Sequence, residues 1–127
     1  MHNNKELIKL TIEKAKIALK TAEENIKSKH LEGALNRIYY AVFYSVNALA
    51  IKNNFSTSNH SQLKGWFNKK FIYEKKIFNN KMYEIYKNVY LIREKSDYDF
   101  AYRPDLVTVK IMLNDAKFFI KNIINKL

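Results

Sequence analysis

The chain of 127 residues contains only two glycines and one proline, and this scarcity limits the folds that it can adopt. Tight turns draw on Gly, Pro, Asn and Asp, and β-sandwiches and β-barrels need many such turns. Asn is abundant here, but so few glycines and prolines argue against many hairpins. Long helices joined by few loops are therefore favoured, and the length is that of one domain.

Apolar residues recur at intervals of three and four along the chain, which is the periodicity of an α-helix. No alternation typical of a β-strand is sustained, and Pro104 interrupts the last part of the chain. The pattern predicts an all-α fold in a single domain spanning residues 1–127, an antiparallel bundle of four long helices plus one short helix. The predicted helices are 5–29, 31–52, 60–73, 81–97 and 105–126.

The second predicted helix, 31–52, is apolar on most sides, which is typical of a central, buried helix. Polar residues mark the starts of its neighbours. Asn3 or Asn4 is expected to cap the first helix, and one of residues 56–59 the third. Asp105 stands at the start of the last helix, where a negative charge is favoured.

Several classes of protein are excluded or disfavoured by composition. Without Cys there is no disulfide framework, Cys-ligated zinc or thiol nucleophile, and isolated Gly33 and Gly65 make no phosphate-binding loop. Three histidines leave little for a metal site, so we predict neither metal nor cofactor. The chain has no run of about 18 apolar residues and no apolar leader, which predicts a cytoplasmic protein without a membrane partner.

The net charge of +11 has two interpretations that stay open. Basic proteins often bind nucleic acid or other polyanions. The excess is mostly Lys, however, in a chain also rich in Asn, Ile, Tyr and Phe, and these residues share AT-rich codons. The charge is also uneven: residues 60–81 hold six lysines and one acid, a net +5, whereas residues 82–105 have a net charge of −1.

The basic segment 60–81 mixes lysines with aromatic residues. Such a mixture is able to bind single strands by stacking, and Lys64, Lys69 and Lys70 are candidate nucleic-acid contacts. Helical spacing offers the plainer interpretation, in which the aromatic rings belong to the core and the lysines form a solvated face.

Polar residues interrupt apolar helix faces at three places. Arg37 lies within a very apolar helix, so it is expected either on the exposed side or paired with a carboxylate. His60 stands at the predicted start of the third helix. Arg93 and Asp97 are four residues apart and share a helix face; an ordinary surface pair of this kind contributes less than about 1 kcal/mol.

The order of these elements resembles the HEPN domain family, most closely its small stand-alone UPF0332-type proteins. The resemblance spans nearly the whole chain, with Ser96 standing where Ala is usual. It is carried by three stretches, which are Arg37-Ile38-Tyr39-Tyr40-Ala41-Val42-Phe43, Asn59-His60-Ser61 and Arg93-Glu94-Lys95-Ser96-Asp97-Tyr98.

The resemblance implies a helical bundle that commonly dimerises and often works with a small nucleotidyltransferase-like protein. Many members are metal-independent ribonucleases, especially in toxin–antitoxin and defence systems, and use an Arg followed after four to six residues by His. The His would remove a proton from the RNA 2′-hydroxyl, and the Arg would stabilise charge on the phosphate. Here Tyr98, Asp99 and Phe100 occupy the positions where that His would stand.

The sequence therefore predicts a HEPN-type module of a toxin–antitoxin or defence system that binds RNA or a nucleotide, forms a homodimer and works with a nucleotidyltransferase-like partner. Two alternatives stay open, namely a metal-independent ribonuclease with a divergent site and a non-catalytic protein-interaction module. The candidate catalytic residues are Arg93 as the phosphate contact, Asp97 as its orienting group and Tyr98 as a stacking or hydrogen-bonding group. The candidate binding residues are Arg37, Tyr40, His60, Lys64, Lys69 and Lys70.

Overall fold

Helices make up most of the computed structural model, which describes residues 3–127. No strand occurs within this range, and the helices pack as a bundle of four long helices and one short one, so the predicted fold class is confirmed. The elements are α1 (Asn4–Lys27), α2 (Leu31–Lys52), α3 (His60–Phe67), a π-helical segment (Asn68–Glu74), α4 (Asn80–Tyr98) and α5 (Leu106–Ile124).

Three helices begin at the polar residues that the sequence offers as caps. The side chains of Asn3, Asn59 and Asp105 each accept a hydrogen bond of 2.8 Å from the backbone N–H three residues further on. Each bond satisfies a donor that has no partner within its helix. Between α1 and α2 the chain turns through Lys29, whose φ of 60° lies in the left-handed region.

The third predicted helix, 60–73, differs in detail from the structure. It is α-helical only over His60–Phe67 and continues as a π-helix over Asn68–Glu74. The wider turn forms hydrogen bonds between residues five apart, as from the Lys75 N–H to the Lys70 carbonyl at 3.0 Å. The spacing of apolar residues over two turns does not distinguish an α-helix from a π-helix. In both helices, residues that are three to five positions apart share one face.

Neighbouring helices run antiparallel. Asn4 at the start of α1 donates a 3.3 Å hydrogen bond to Asn54, which follows the end of α2. Lys81 at the start of α4 lies 4.5 Å from the ring centroid of Phe118 near the end of α5. Because α2 packs against α1, α3, α4 and α5, it is the central helix, as its apolar sequence predicts.

The core is rich in aromatic side chains. Phe67 is fully buried, and its ring lies 5.7 Å from that of Tyr86 and 5.5 Å from that of Phe119. Phe71 is buried beside it, and Trp66 stacks on Phe55 with ring centroids 4.7 Å apart. These rings of the basic segment therefore belong to the packed interior, which is the plainer of the two interpretations; Tyr73 alone among them is largely exposed.

Within residues 3–127, no helix combines the length and the apolar character needed to cross a bilayer. The same part of the chain holds no group of three or more His, Asp and Glu side chains placed to bind a metal ion.

Replacing Phe67 with alanine tests this core. We expect Phe67→Ala to lower the free energy of unfolding by about 3–5 kcal/mol, because it removes a buried ring and leaves a cavity. Tyr73→Ala is the control, since Tyr73 is 72% exposed and its loss should change stability by less than about 0.5 kcal/mol. Urea denaturation followed by circular dichroism measures the free energy of unfolding of both variants. Equal losses of stability in the two variants would contradict the burial of Phe67 in the core.

Candidate functional site

Arg93, near the end of α4, reaches the first half of α2. Its guanidinium carbon Cζ lies 5.1 Å from the ring centroid of Tyr39 and 5.5 Å from that of Tyr40. Nη2 also donates a long hydrogen bond of 3.5 Å to the Tyr40 hydroxyl. A guanidinium over the face of an aromatic ring is stabilised by the ring's quadrupole, so two tyrosines of α2 hold this cation in place.

The predicted pair between Arg93 and Asp97 is present. Arg93 Nε lies 3.0 Å from Asp97 Oδ2, although the N–H is not aimed along the contact, so the interaction is an ion pair rather than a well-formed hydrogen bond. The Arg93 side chain is 20% exposed and that of Asp97 is 37% exposed. Water and salt therefore screen this pair less than they screen a fully exposed one.

His60 joins the same region from α3. Its Nδ1 lies 2.7 Å from the Tyr39 hydroxyl oxygen, and its ring stacks on Phe43 with centroids 4.2 Å apart. His60 is the first residue of α3, but Asn59 provides the cap, so the histidine side chain is available for other contacts. Tyr39 thus touches both His60 and Arg93, two residues that are far apart in the sequence.

The bond between Tyr39 and His60 determines which imidazole nitrogen carries the hydrogen. Tyr39 is fully buried, and burial raises the pKa of its hydroxyl well above the ordinary value, more than nearby Arg93 lowers it. The hydroxyl therefore keeps its proton, and His60 Nδ1 is its hydrogen-bond partner among the described residues. The buried hydroxyl needs an acceptor, so we assign this role to Nδ1 and infer that the neutral ring carries its own hydrogen on Nε2.

The neutral form of His60 is favoured electrostatically. Burial lowers the pKa of His60 below its ordinary value, and the positive charge of Arg93 lowers this pKa further. At neutral pH the ring therefore presents an Nε2–H group, which is a hydrogen-bond donor without a net charge.

Two further cations lie on the rings around Tyr39. The Arg37 guanidinium carbon is 5.1 Å from the ring centroid of Tyr40, and this side chain bonds to the Asn36 amide oxygen rather than to a carboxylate. Lys64 Nζ is 5.1 Å from the centroid of Tyr90. Six rings in mutual contact connect these cations and are called the aromatic cluster below: Tyr39, Tyr40, Phe43, Tyr44, His60 and Tyr90.

Comparison with known proteins places the chain in a family. The HEPN domain family matches residues 8–127, which is nearly the whole chain. The chain belongs to the HEPN domain family.

Two relatives agree with this assignment. A "UPF0332 protein" of Thermotoga maritima is 30% identical over 120 residues, which cover 94% of this chain and 90% of the relative. A Methanocaldococcus jannaschii protein named "Putative toxin MJ0142" is 31% identical over 116 residues, 91% of this chain and 73% of the relative. This HEPN chain therefore resembles a protein that bears the name of a toxin.

The structure brings some of the candidate residues of this HEPN chain together and leaves others apart. Two candidates, Tyr40 and His60, are members of the aromatic cluster. Three cations contact its rings, namely Arg37, Lys64 and Arg93, and Asp97 is paired with Arg93.

Three candidates make no contact with the cluster in the described part of the chain. Tyr98 is 77% exposed, and within residues 3–127 no hydrogen bond or ring contact joins it to Arg93. Lys69 and Lys70 lie in the π-helical segment, beyond the end of α3. Their proposed contacts with nucleic acid stay predictions.

Sequence reasoning overlooked Tyr39, Phe43 and Tyr90 as members of the site. All three occupy apolar helix positions, where an aromatic ring is most simply interpreted as core. The hydroxyl of Tyr39 finds its partner 21 residues away. No spacing rule within one helix predicts such a contact, although the adjacent tyrosines 39 and 40 were part of the motif that carries the family resemblance.

The hydrogen bond from Tyr39 is tested by replacing it with phenylalanine. In the wild-type protein, ¹⁵N-resolved NMR should show neutral His60 with its hydrogen on Nε2. Tyr39→Phe should release this preference, because Nδ1 loses its donor, and should cost about 1 kcal/mol of stability.

Tyr44→Phe is the matched control for this measurement. It also removes a tyrosine hydroxyl from the aromatic cluster, but that hydroxyl makes no hydrogen bond among residues 3–127, so the His60 signals should not change. His60→Gln assigns the signals among the three histidines of the chain. A wild-type His60 with its hydrogen on Nδ1 would contradict the inferred donor.

Proposed function

We propose that this HEPN chain is an RNA- or nucleotide-binding module of a toxin–antitoxin or defence system and that it binds a phosphate group at Arg93. One observation carries the proposal: Arg93 and His60, from α4 and α3, meet on the same buried tyrosine of α2. Arg37 and Lys64 lie on neighbouring rings, so cations and aromatic faces converge at one place.

The groups that converge have the chemistry that a nucleotide requires. A guanidinium offers a planar set of donors to phosphate oxygens. Asp97 occupies the Nε side of Arg93, and Nη2 uses one hydrogen in its long bond to Tyr40. Nη1 and the second hydrogen of Nη2 are left for a ligand. The Nε2–H of neutral His60 adds a donor without adding charge, and partly exposed Tyr40 offers a face for stacking with a base.

A metal-independent ribonuclease is the second candidate. The observation in its favour is that His60 reaches the cluster of Arg93, although residues 98–100 contain no histidine. The bond from Tyr39 weighs against it, because a neutral ring that carries its hydrogen on Nε2 cannot accept a proton there. RNA cleavage that persists in a chelator and is lost in both Arg93→Ala and His60→Gln would make this the better description.

The partners form a separate part of the proposal. We expect a homodimer that works with a nucleotidyltransferase-like protein, as the family resemblance implies. Large apolar side chains that are exposed near the end of α4 and the start of α5 support an interaction surface there: Leu91, Tyr98, Phe100, Val107 and Ile111.

Light scattering and co-purification test the partners. The purified chain should show twice the mass of 15.1 kDa, and it should retain a co-expressed nucleotidyltransferase encoded by a neighbouring gene. Phe100→Asp should weaken one or both associations while the helical circular dichroism stays unchanged. A monomer that retains no such partner would contradict this part of the proposal.

Arg93→Ala tests the phosphate contact. Its affinity for a labelled single-stranded RNA should fall about tenfold or more, because a charge-assisted bidentate contact is lost. The circular dichroism should not change, and the slope of log affinity against log salt concentration should decrease. Fluorescence anisotropy at several salt concentrations measures both quantities.

Lys110→Ala is the control with the same loss of charge, since Lys110 is exposed on α5 and is not part of the aromatic cluster. If the two variants weaken RNA binding equally, the binding depends on the net charge of the protein and not on a contact made by Arg93. If Arg93→Ala unfolds the protein, the pair with Asp97 is a structural clamp. A wild-type protein that binds no RNA or nucleotide would leave the protein-interaction module as the remaining alternative.

A further inference from the structure

We propose that the groove between α1 and α2 beside the aromatic cluster binds a single-stranded RNA that continues away from Arg93. The ligand of this site is then a strand of several nucleotides rather than a mononucleotide. The inference rests on the proposed function, since it extends the same phosphate-binding site along α2.

The groove and the aromatic cluster are continuous. α2 presents Tyr40, Phe43, Tyr44, Asn47 and Ile51 at helical spacing, and all five are partly exposed although half of the residues of α2 are buried. The last four of them line the groove, together with Leu7, Leu10, Thr11 and Lys14 of α1. Phe43 belongs to both regions, because it also stacks on His60.

Cations accompany the exposed aromatic rings along this face. Lys14 Nζ lies 5.6 Å from the ring centroid of Tyr44, and Arg37 and Arg93 lie over Tyr40 at 5.1 Å and 5.5 Å. The rings of Tyr40 and Tyr44 are themselves 5.9 Å apart. Exposed rings with cations beside them at this end of the groove fit a single strand, whose bases stack on aromatic rings while its phosphates approach the positive charges.

The length of the face also favours a strand. From Tyr40 to Ile51 the α2 axis advances about 16 Å at 1.5 Å per residue. A mononucleotide held at Arg93 would leave most of this distance empty, whereas a short oligonucleotide would cover it.

Charge argues against a second copy of this chain in the groove. The groove contains Lys14, and its end at the aromatic cluster lies beside Arg37 and Arg93. Like charges that face each other across an interface are repelled. A polyanion is the occupant that this distribution of charge favours.

Comparing a mononucleotide with a tetranucleotide tests the inference. We expect the tetranucleotide to bind the wild-type protein more tightly than uridine monophosphate does. Tyr44→Leu and Lys14→Ala should each weaken the tetranucleotide about fivefold to tenfold, in line with the loss of one stacked base or one phosphate contact. Lys14→Ala should not change the affinity for uridine monophosphate, and Tyr44→Leu should weaken this ligand much less than it weakens the tetranucleotide. Arg93→Ala should weaken both ligands.

Two matched controls separate these effects from general ones. Tyr44→Phe retains the ring and should bind like the wild type. Lys110→Ala loses the same charge as Lys14→Ala but lies on α5, away from the groove, and should have a much smaller effect. Circular dichroism checks that each variant is folded; Lys14 is exposed, so its variant carries the test even if Tyr44→Leu is destabilised.

The possible outcomes distinguish this inference from the proposed function. If RNA binding depends on Arg93 but not on Tyr44 or Lys14, the proposal that the groove binds RNA is wrong and the proposed phosphate site at Arg93 stands. If the two ligands bind the wild type equally well, the proposal that the ligand is a strand of several nucleotides is wrong as well. If the wild type binds neither ligand, both proposals fail. A change in mass by light scattering in Lys14→Ala, without a change in RNA affinity, would indicate a second copy in the groove.

Discussion

The hydrogen bond between Tyr39 and His60 is the contact on which the arrangement of the candidate site depends. The Tyr39 hydroxyl is fully buried, and a buried hydroxyl without a partner costs about 1–3 kcal/mol. The first turn of α3 lies against α2, and His60 Nδ1 satisfies this hydroxyl at 2.7 Å. Tyr86 shows the contrast, since its buried hydroxyl has no hydrogen-bond partner among the described residues.

Tyr39 also positions Arg93, which carries the positive charge of the candidate site. Arg93 lies over its ring, and the ion pair with Asp97 holds the guanidinium at the edge of the bundle, where it is only partly exposed. Its positive charge adds to burial in lowering the pKa of His60, so a cation and a neutral imidazole contact the same tyrosine.

The central helix α2 has two functions in this arrangement. One side is packed into the core and explains why the sequence between residues 31 and 52 is apolar almost throughout. The other side leaves aromatic rings partly exposed, with cations over them, and carries both the proposed phosphate site and the proposed RNA groove. A helix that is apolar all round therefore supplies both the core of the HEPN fold and its candidate ligand surface.

The sequence by itself determined the helices, their caps and the pair between Arg93 and Asp97. These features depend on neighbours within about one helical turn, so periodicity and spacing predict them. The family resemblance also pointed to Arg37, Tyr40 and His60. Only the tertiary structure decided which candidates meet. His60 and Lys64 reach the cluster because α3 packs against both α2 and α4. Tyr98, five residues after Arg93 at the end of α4, remains exposed to solvent. The physical reason is that these contacts join residues on different helices, and their geometry follows from how the whole core packs rather than from any local spacing.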